Sequence, residues 1–397
     1  MIVNLWGQDR ASAVIGSSKV LRDAWARIDK IEEVITISVD AKAKTLLESG
    51  HEIFVPCPRF SNRRFLEVVT KRTLGDLATS FLLNFDSLVF SIYCLVRIRW
   101  LLLSARVLHT YSFWFSLFCA LSPKLADKLY YTELGGEWFE IAQGNASLIV
   151  RLRYLYLGRF VFRRVRVIAQ SEISKKSIVA CHVDPSRVSV VRHSRCDPLV
   201  FKPTTEKKVN PLRVIYVGRA VPQKGLHLLV KAADVLVNQR NIANVEFVVV
   251  GPGAGFGSNI KSNYASRIEA DIRQFKLEGY FTLKSFVSLD ELVDLYSSSG
   301  LSVVPSLYDA SPSTVIEAML CEVAVVGTVS GGMAEQIVNM ETGMLVPPGD
   351  VDALADSISY FIQNPGICYT MGSAGRRRAI DLYSTDGFWA ELLEALR

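Results

Sequence analysis

The chain has 397 residues, a length that calls for two domains and excludes a single small module. Half of the residues are hydrophobic and 21% are charged, with 25 glycines and 14 prolines spread along the chain, which excludes disorder and fibrous repeats. The net charge of +6 is uneven: residues 1–200 hold 28 basic and 18 acidic side chains and residues 201–397 hold 17 and 21, so one half is built to meet something anionic.

The elements of the first half are spelled weakly. Met1–Gly7 is a short apolar run soon followed by Asp9 and Arg10, which reads as a first strand (Ile2–Leu5) rather than a secretory leader. A helix over Ala41–Glu48 and a strand over Glu52–Val55 follow. The run 80–96 is interrupted by Asp86 and closed by Arg97 and Arg99, short of the roughly 20 apolar residues that cross a bilayer, and reads as a buried or interfacial helix. Strands are expected at Val107–His109, Tyr130–Thr132 and Val167–Gln170, with helical patterns between them. The seven cysteines are odd in number, scattered and free of C-x-x-C pairs, as in a reducing, cytoplasmic compartment.

The second half alternates clearly. Strands are expected at Arg213–Val217, Val245–Val250, Tyr280–Phe286, Leu301–Pro305, Val323–Val326 and Met344–Val346. Helices are expected at Leu226–Val237, Ala265–Phe275, Ser288–Ser297, Thr314–Leu320, Met333–Asn339 and Val351–Ile362. Strands apolar on both faces, alternating with helices, imply an α/β protein with parallel sheets covered on both sides. The domains are expected at 1–202 and 203–375, joined near Phe201–Pro203. A C-terminal segment, 376–397, carries Leu382, Phe388, Trp389, Leu392 and Leu393 and is expected to pack back on the first domain.

In open α/β sheets ligands bind beyond the carboxyl ends of the strands, and four clusters fall there. Gly218-Arg219 leads to Lys224-Gly225 and a helix, two cations suited to a diphosphate or, otherwise, to solvent. Gly251 opens a glycine-rich turn in which Phe256 stands where a dinucleotide loop needs its third glycine, which disfavours NAD. Asp309 and Glu317 are carboxylates able to accept sugar hydroxyls, although Thr314-x-x-Glu317 also has the form of a capping box and Asp309 could close a turn. Gly331-Gly332-Met333-Ala-Glu335 would let the backbone approach a ligand, or form a plain turn with a surface glutamate.

Together with Phe286–Leu295 and Thr342–Asp350, these clusters resemble in order and spacing the donor-binding domain of the retaining glycosyltransferases of family four (glycosyl transferases group 1), from Val214 to about Pro365. The resemblance implies the GT-B fold, two Rossmann-like domains facing across a cleft. It also implies transfer of a hexose from a UDP-, GDP- or ADP-sugar with retention and with neither metal nor cofactor. On that basis Arg219 and Lys224 hold the diphosphate, Glu317 the ribose, and Asp309, where glutamate is usual, faces the donor sugar. Gly218, Gly251, Ser311, Thr314, Gly331, Gly332, Met333 and Glu335 complete the donor site. On the acceptor side the candidates are His109, Glu133 and Gly135, with Leu134 where the family commonly has histidine. Departures include a single Gly7 after the first strand and Ser194-Arg195 in place of Asn-Gly. Two other functions are compatible with these residues: a nucleotide-sugar epimerase, and a non-catalytic nucleotide-sugar-binding subunit.

Two basic clusters remain. Arg59, Arg63 and Arg64 form one; in the other, Arg159, Arg163 and Arg166 share a face if the segment is helical, interleaved with Tyr154, Tyr156, Phe160 and Phe162. Such faces suit an anionic membrane surface, which would place the protein at the inner face of the membrane, or a lipid-linked or envelope-glycan acceptor, although an ordinary solvated helix face has the same composition; no motif points to nucleic acid. Asp350-Val-Asp352 has a metal-site form, but it follows Pro-Pro-Gly and opens a helix, so an N-cap is expected.

Overall fold

The computed structural model describes the strand segments 2–9, 34–39, 47–49 and 52–55, and from residue 88 onward most of the chain. The exceptions there are 97–98, 133–137, 139–140, 142–147, 193–195, 205–209, 252–262, 396–397 and scattered single positions. The chain forms two compact units, one of 1–170, 175–191 and 393–397, the other of 171–174 and 192–392.

Among the described residues the first unit contains eight strands: β1 (Ile2–Asp9), β2 (Val34–Val39), β3 (Leu47–Ser49), β4 (Glu52–Val55), β5 (Val107–Thr110), β6 (Leu129–Thr132), β7 (Arg166–Ala169) and β8 (Val188–Val190). Their order is β3-β4-β2-β1-β5-β6-β7-β8. All pairs are parallel except β3 on β4. Leu47 and Glu48, expected at the end of a helix, are therefore strand residues. The two-residue interval Gly50-His51 is hairpin length, and pairing with β4 overrides the weak local helical pattern.

Four helices matter below: α1 (Arg99–Ser104), α2 (Phe113–Ala120) and α3 of this unit, and α4 (Glu172–Ala180), of which residues 172–174 fall in the second unit. α3 joins Leu148–Arg151, a π-helical Leu152–Leu157 and Gly158–Phe162 through residues in helical conformation. The core packs Phe113, Phe115, Tyr131, Trp138, Tyr154 and Phe162 against β5–β7, with Trp138 centred 4.7 Å from Tyr154 and 4.9 Å from Phe162. Among the described residues no helix is long and apolar enough to cross a membrane.

Among the described residues the second unit has six strands, all parallel: β9 (Asn210–Val217), β10 (Glu246–Val250), β11 (Phe281–Lys284), β12 (Ser299–Val304), β13 (Ala324–Thr328) and β14 (Gly343–Val346). Their order is β11-β10-β9-β12-β13-β14, so the chain reverses direction across the sheet between β9 and β12. Its helices are α5 (Leu226–Asp234), α6 (Asn263–Gln274), α7 (Leu289–Ser297), α8 (Ser313–Leu320), α9 (Met333–Gln336), α10 (Val351–Gln363), α11 (Pro365–Tyr383) and α12 (Thr385–Ala395). Alternate strand residues serve different cores, Val214 and Tyr216 on one face and Ile215 on the other, which is why the strands read as apolar throughout. The Asp350 carboxylate accepts the Ala353 amide at 2.9 Å, the N-cap expected for α10. α11 runs unbroken through residue 376 and buries Ala379 and Tyr383 with α8, and Glu391 of α12 holds Arg192 at 2.6 Å.

Candidate active site

The point where strand order reverses, between β9 and β12, leaves a crevice at the carboxyl ends of those strands. Three loops meet there: 218–225 after β9, 305–312 after β12 and 329–332 after β13.

The first loop is wrapped around Tyr216, buried at the end of β9, whose phenol lies 3.4 Å from the carbonyl oxygens of both Arg219 and Lys224. Gly218 sits against that phenol, and its amide donates to the Val250 carbonyl at 3.0 Å. The loop is then tied to the second: the Leu307 amide donates to the Gln223 carbonyl at 2.9 Å, and the Gln223 side chain donates to the Tyr308 carbonyl at 3.2 Å. The Lys224 ammonium pairs with the Asp309 carboxylate, both half-buried, while Arg219 is exposed. Two residues assigned separate duties on sequence grounds are thus one ion pair, and the Asp309 carboxylate is turned to Lys224 rather than to its own turn. Gly251 is buried and donates to the Lys284 carbonyl at 2.8 Å; the rest of its turn lies outside the described residues.

Glu317 lies on α8 and does not close a capping box. The helix is capped at Pro312 without a side-chain bond, and Glu317 instead accepts the Tyr296 phenol of α7 at 3.0 Å. Burial pushes the Glu317 carboxyl above its ordinary value, opposed by hydrogen bonds from Tyr296 and Ser313. Burial, and then the Glu317 charge, raise the Tyr296 phenol well above its own. Thr314 and Ser311 are partly exposed beside it.

In the third loop the glycines admit protein rather than ligand. Gly331 has φ +55°, and a Cβ on it would stand 1.9 Å from the Asp309 carbonyl oxygen; the Gly332 amide donates to the same oxygen at 2.9 Å. Thr328 donates to the Ser306 carbonyl at 2.7 Å and completes the junction. Two donor-site expectations change in consequence. The Met333 side chain is wholly buried in the core and offers only its backbone. The Glu335 carboxylate accepts the Ile173 amide at 2.7 Å and the Glu172 amide at 3.1 Å, capping the start of α4 through the 171–174 segment of this unit. A residue that sequence reasoning missed, Gln336, is buried behind the site and donates to the Ser311 hydroxyl and the Pro312 carbonyl, both at 3.3 Å. Its only signal was a polar residue at an inward helical position.

In the first unit His109 is buried on β5, with its Nε2 2.7 Å from the Thr132 hydroxyl of β6. Burial lowers its pKa to about 4, so it is neutral at physiological pH. Glu133, Gly135, Arg59, Arg63 and Arg64 lie outside the described residues. The expected arginine face is corrected. α3 ends at Phe162, so Arg159 and Arg163 are exposed on and just after it, but Arg166 begins β7 and bonds its guanidinium to the Tyr130 phenol.

Residues 200–378 match the family described as glycosyl transferases group 1. Among curated proteins, the chain is 29% identical over 177 residues to the capsular polysaccharide biosynthesis glycosyltransferase CapM of Staphylococcus aureus, 45% of this chain and 43% of that protein. It is 30% identical over 229 residues to alpha-maltose-1-phosphate synthase of Mycolicibacterium smegmatis, 53% of this chain and 56% of that protein. The chain thus spans about half the length of the curated relatives it matches. Among solved structures, sucrose-phosphate synthase from Thermosynechococcus elongatus superposes with a TM-score of 0.76 at 20% identity, covering 99% of this chain and 97% of that one. Anabaena HepE in complex with UDP and glucose gives 0.71 at 18% identity, covering 100% and 98%. These neighbours show the fold to be GT-B.

Proposed function

We propose that this chain, which has the GT-B fold and whose residues 200–378 match the glycosyl transferases group 1, transfers a hexose from a nucleotide-sugar donor to a glycan acceptor with retention. The observation that carries it is the Lys224–Asp309 pair at the strand-order reversal of the matched unit, with Arg219 on the same loop as Lys224 and Glu317 on the helix that follows the loop of Asp309. Residues 203–375 are the donor-binding domain and 1–202 face the acceptor, while most of 376–397 packs within the donor-side unit. No metal is required, because Arg219 and Lys224 supply the positive charge that stabilises the departing diphosphate. A diphosphate competes with Asp309 for Lys224. As it does so it frees the Asp309 carboxylate to accept donor-sugar hydroxyls, while Glu317, oriented by Tyr296, accepts those of the ribose. The basic balance of the first half favours a lipid-linked or envelope-glycan acceptor, with the protein peripheral on the inner face of the membrane.

A thermal-shift panel of UDP, GDP and ADP tests the site, because a ligand that binds only the folded state raises the apparent midpoint. One base is expected to shift it, and Arg219→Ala is expected to remove the shift while leaving the unliganded midpoint in place. No response to any of the three sinks the assignment. Incubation with the matching sugar nucleotide then separates the chemistries: slow hydrolysis or transfer for the transferase, isomerised donor for an epimerase, unchanged donor for a binding subunit.

A further inference from the structure

The helices of the first unit carry a feature that the donor site does not use. From β4 through β5, β6 and β7 to β8 the chain steps across the sheet in one direction. Parallel crossovers are right-handed, so the connecting helices, α1 to α4, lie on one face. α2 packs on the end of α3, and α1 packs on the 123–126 turn that follows α2.

The inward sides of these helices build the core through Leu102, Phe113, Phe115, Tyr154 and Phe162. Their outward sides are apolar as well. On and before α1, Ile92, Val96, Trp100 and Leu103 are exposed at intervals of four, four and three, with Val96 at 73% and Trp100 at 63%. α2 has no charged residue, and Leu121 at its end is 65% exposed. On α3, Leu148 and Tyr156 are 71% and 68% exposed, with Leu152 between them one turn from each. A helix layer facing water carries polar residues on that side; exposed apolar residues repeated on the helices of one layer mark a docking surface.

Charge selects the occupant. Arg99, Arg106, Arg151, Arg159 and Arg163 are exposed around the band, and residues 88–166 hold eleven basic and four acidic side chains. A second copy of the chain would set arginine against arginine. Exposed Trp and Tyr among aliphatic residues, edged by arginines, match the interface of an anionic bilayer, where the rings sit at headgroup depth and the guanidinium groups meet lipid phosphates. We propose that the outer face of α1, α2 and α3 docks on an anionic lipid surface, without spanning it. This deepens the membrane part of the functional reading above, which located it on arginines alone; it does not depend on the identity of the donor.

The test is co-sedimentation of the full chain with vesicles of phosphatidylcholine alone and of phosphatidylcholine mixed with phosphatidylglycerol, at low and high salt. Binding is expected to the anionic vesicles only, weakened but not abolished by salt. The double substitution Trp100→Ser and Tyr156→Ser is expected to lower the partition at least about tenfold, because two exposed rings no longer insert. Arg99→Gln with Arg151→Gln and Arg159→Gln is expected to remove the preference for anionic lipid. The nucleotide thermal shift of each variant is expected to equal that of the parent, which shows that the fold and donor site are intact and keeps failure of the two proposals apart. Equal binding to both vesicle types, or none, overturns the proposal. So does a parent chain that elutes as a dimer and becomes a monomer on the serine substitutions, an outcome that would make the band a self-association surface.

Discussion

Tyr296→Phe removes one oxygen, the phenol that donates to Glu317 at 3.0 Å inside the second unit. Hydrogen bonds to a charged group contribute about 1.5–3 kcal/mol, so a loss of about 2 kcal/mol is expected at pH values where Glu317 is ionised. For a folding unit of this size that corresponds to a fall in Tm of about 4–8 °C. The pH dependence gives the sharper check. The folded-state pKa of Glu317 is raised above its ordinary value, so the native state binds a proton that the unfolded chain releases, and stability from this group falls as pH climbs from the ordinary carboxylate value through the raised one. The Tyr296 bond pulls that pKa down; without it the window of falling stability extends to higher pH. Urea midpoints of parent and variant at a series of pH values should therefore nearly coincide where Glu317 is protonated in both and diverge as pH rises. A difference independent of pH, or one below about 0.5 kcal/mol throughout, would refute the assignment of Tyr296 as the partner of an ionising Glu317.

Gly331→Ala places a Cβ 1.9 Å from the Asp309 carbonyl oxygen at a residue with φ +55°, and combined backbone strain and overpacking of about 3 kcal/mol should lower the thermal midpoint and weaken the nucleotide shift. His109 has its pKa lowered to about 4, so it stays neutral in the folded protein while the unfolded chain protonates as pH falls below the ordinary value of 6.5. Its contribution is fully present above that value and drops by about 2 kcal/mol between pH 7 and pH 5, a slope that His109→Asn should flatten in urea denaturation at the two pH values.

Much of the second unit was legible locally. Val245–Val250 against the observed Glu246–Val250 shows that an unbroken apolar run bounded by a glycine turn is enough to read a buried parallel strand, and Asp350 was readable as an N-cap from its immediate neighbours. The first unit was harder. Leu47–Ser49 became a strand because β4 was available to pair with it, and Arg166 left the helical face because α3 ended four residues earlier. The candidate site was legible as a set of positions after strands but not as a set of partners. Lys224 and Asp309 are 85 residues apart, and Glu335 meets amides more than 160 residues before it.

By itself, then, the sequence determined the alternation of elements, the parallel character of the second sheet and the strand ends at which polar residues gather, since periodicity and capping are properties of a few consecutive residues. Which of those residues touch was decided only by the tertiary structure. The reversal of strand order between β9 and β12 brings three loops together, and there the glycines at 331 and 332 pack against backbone, Lys224 finds a carboxylate and Glu317 finds a phenol. The same layering turned a count of arginines into a surface, because only the arrangement of α1, α2 and α3 on one side of the sheet shows that their outward residues are apolar together.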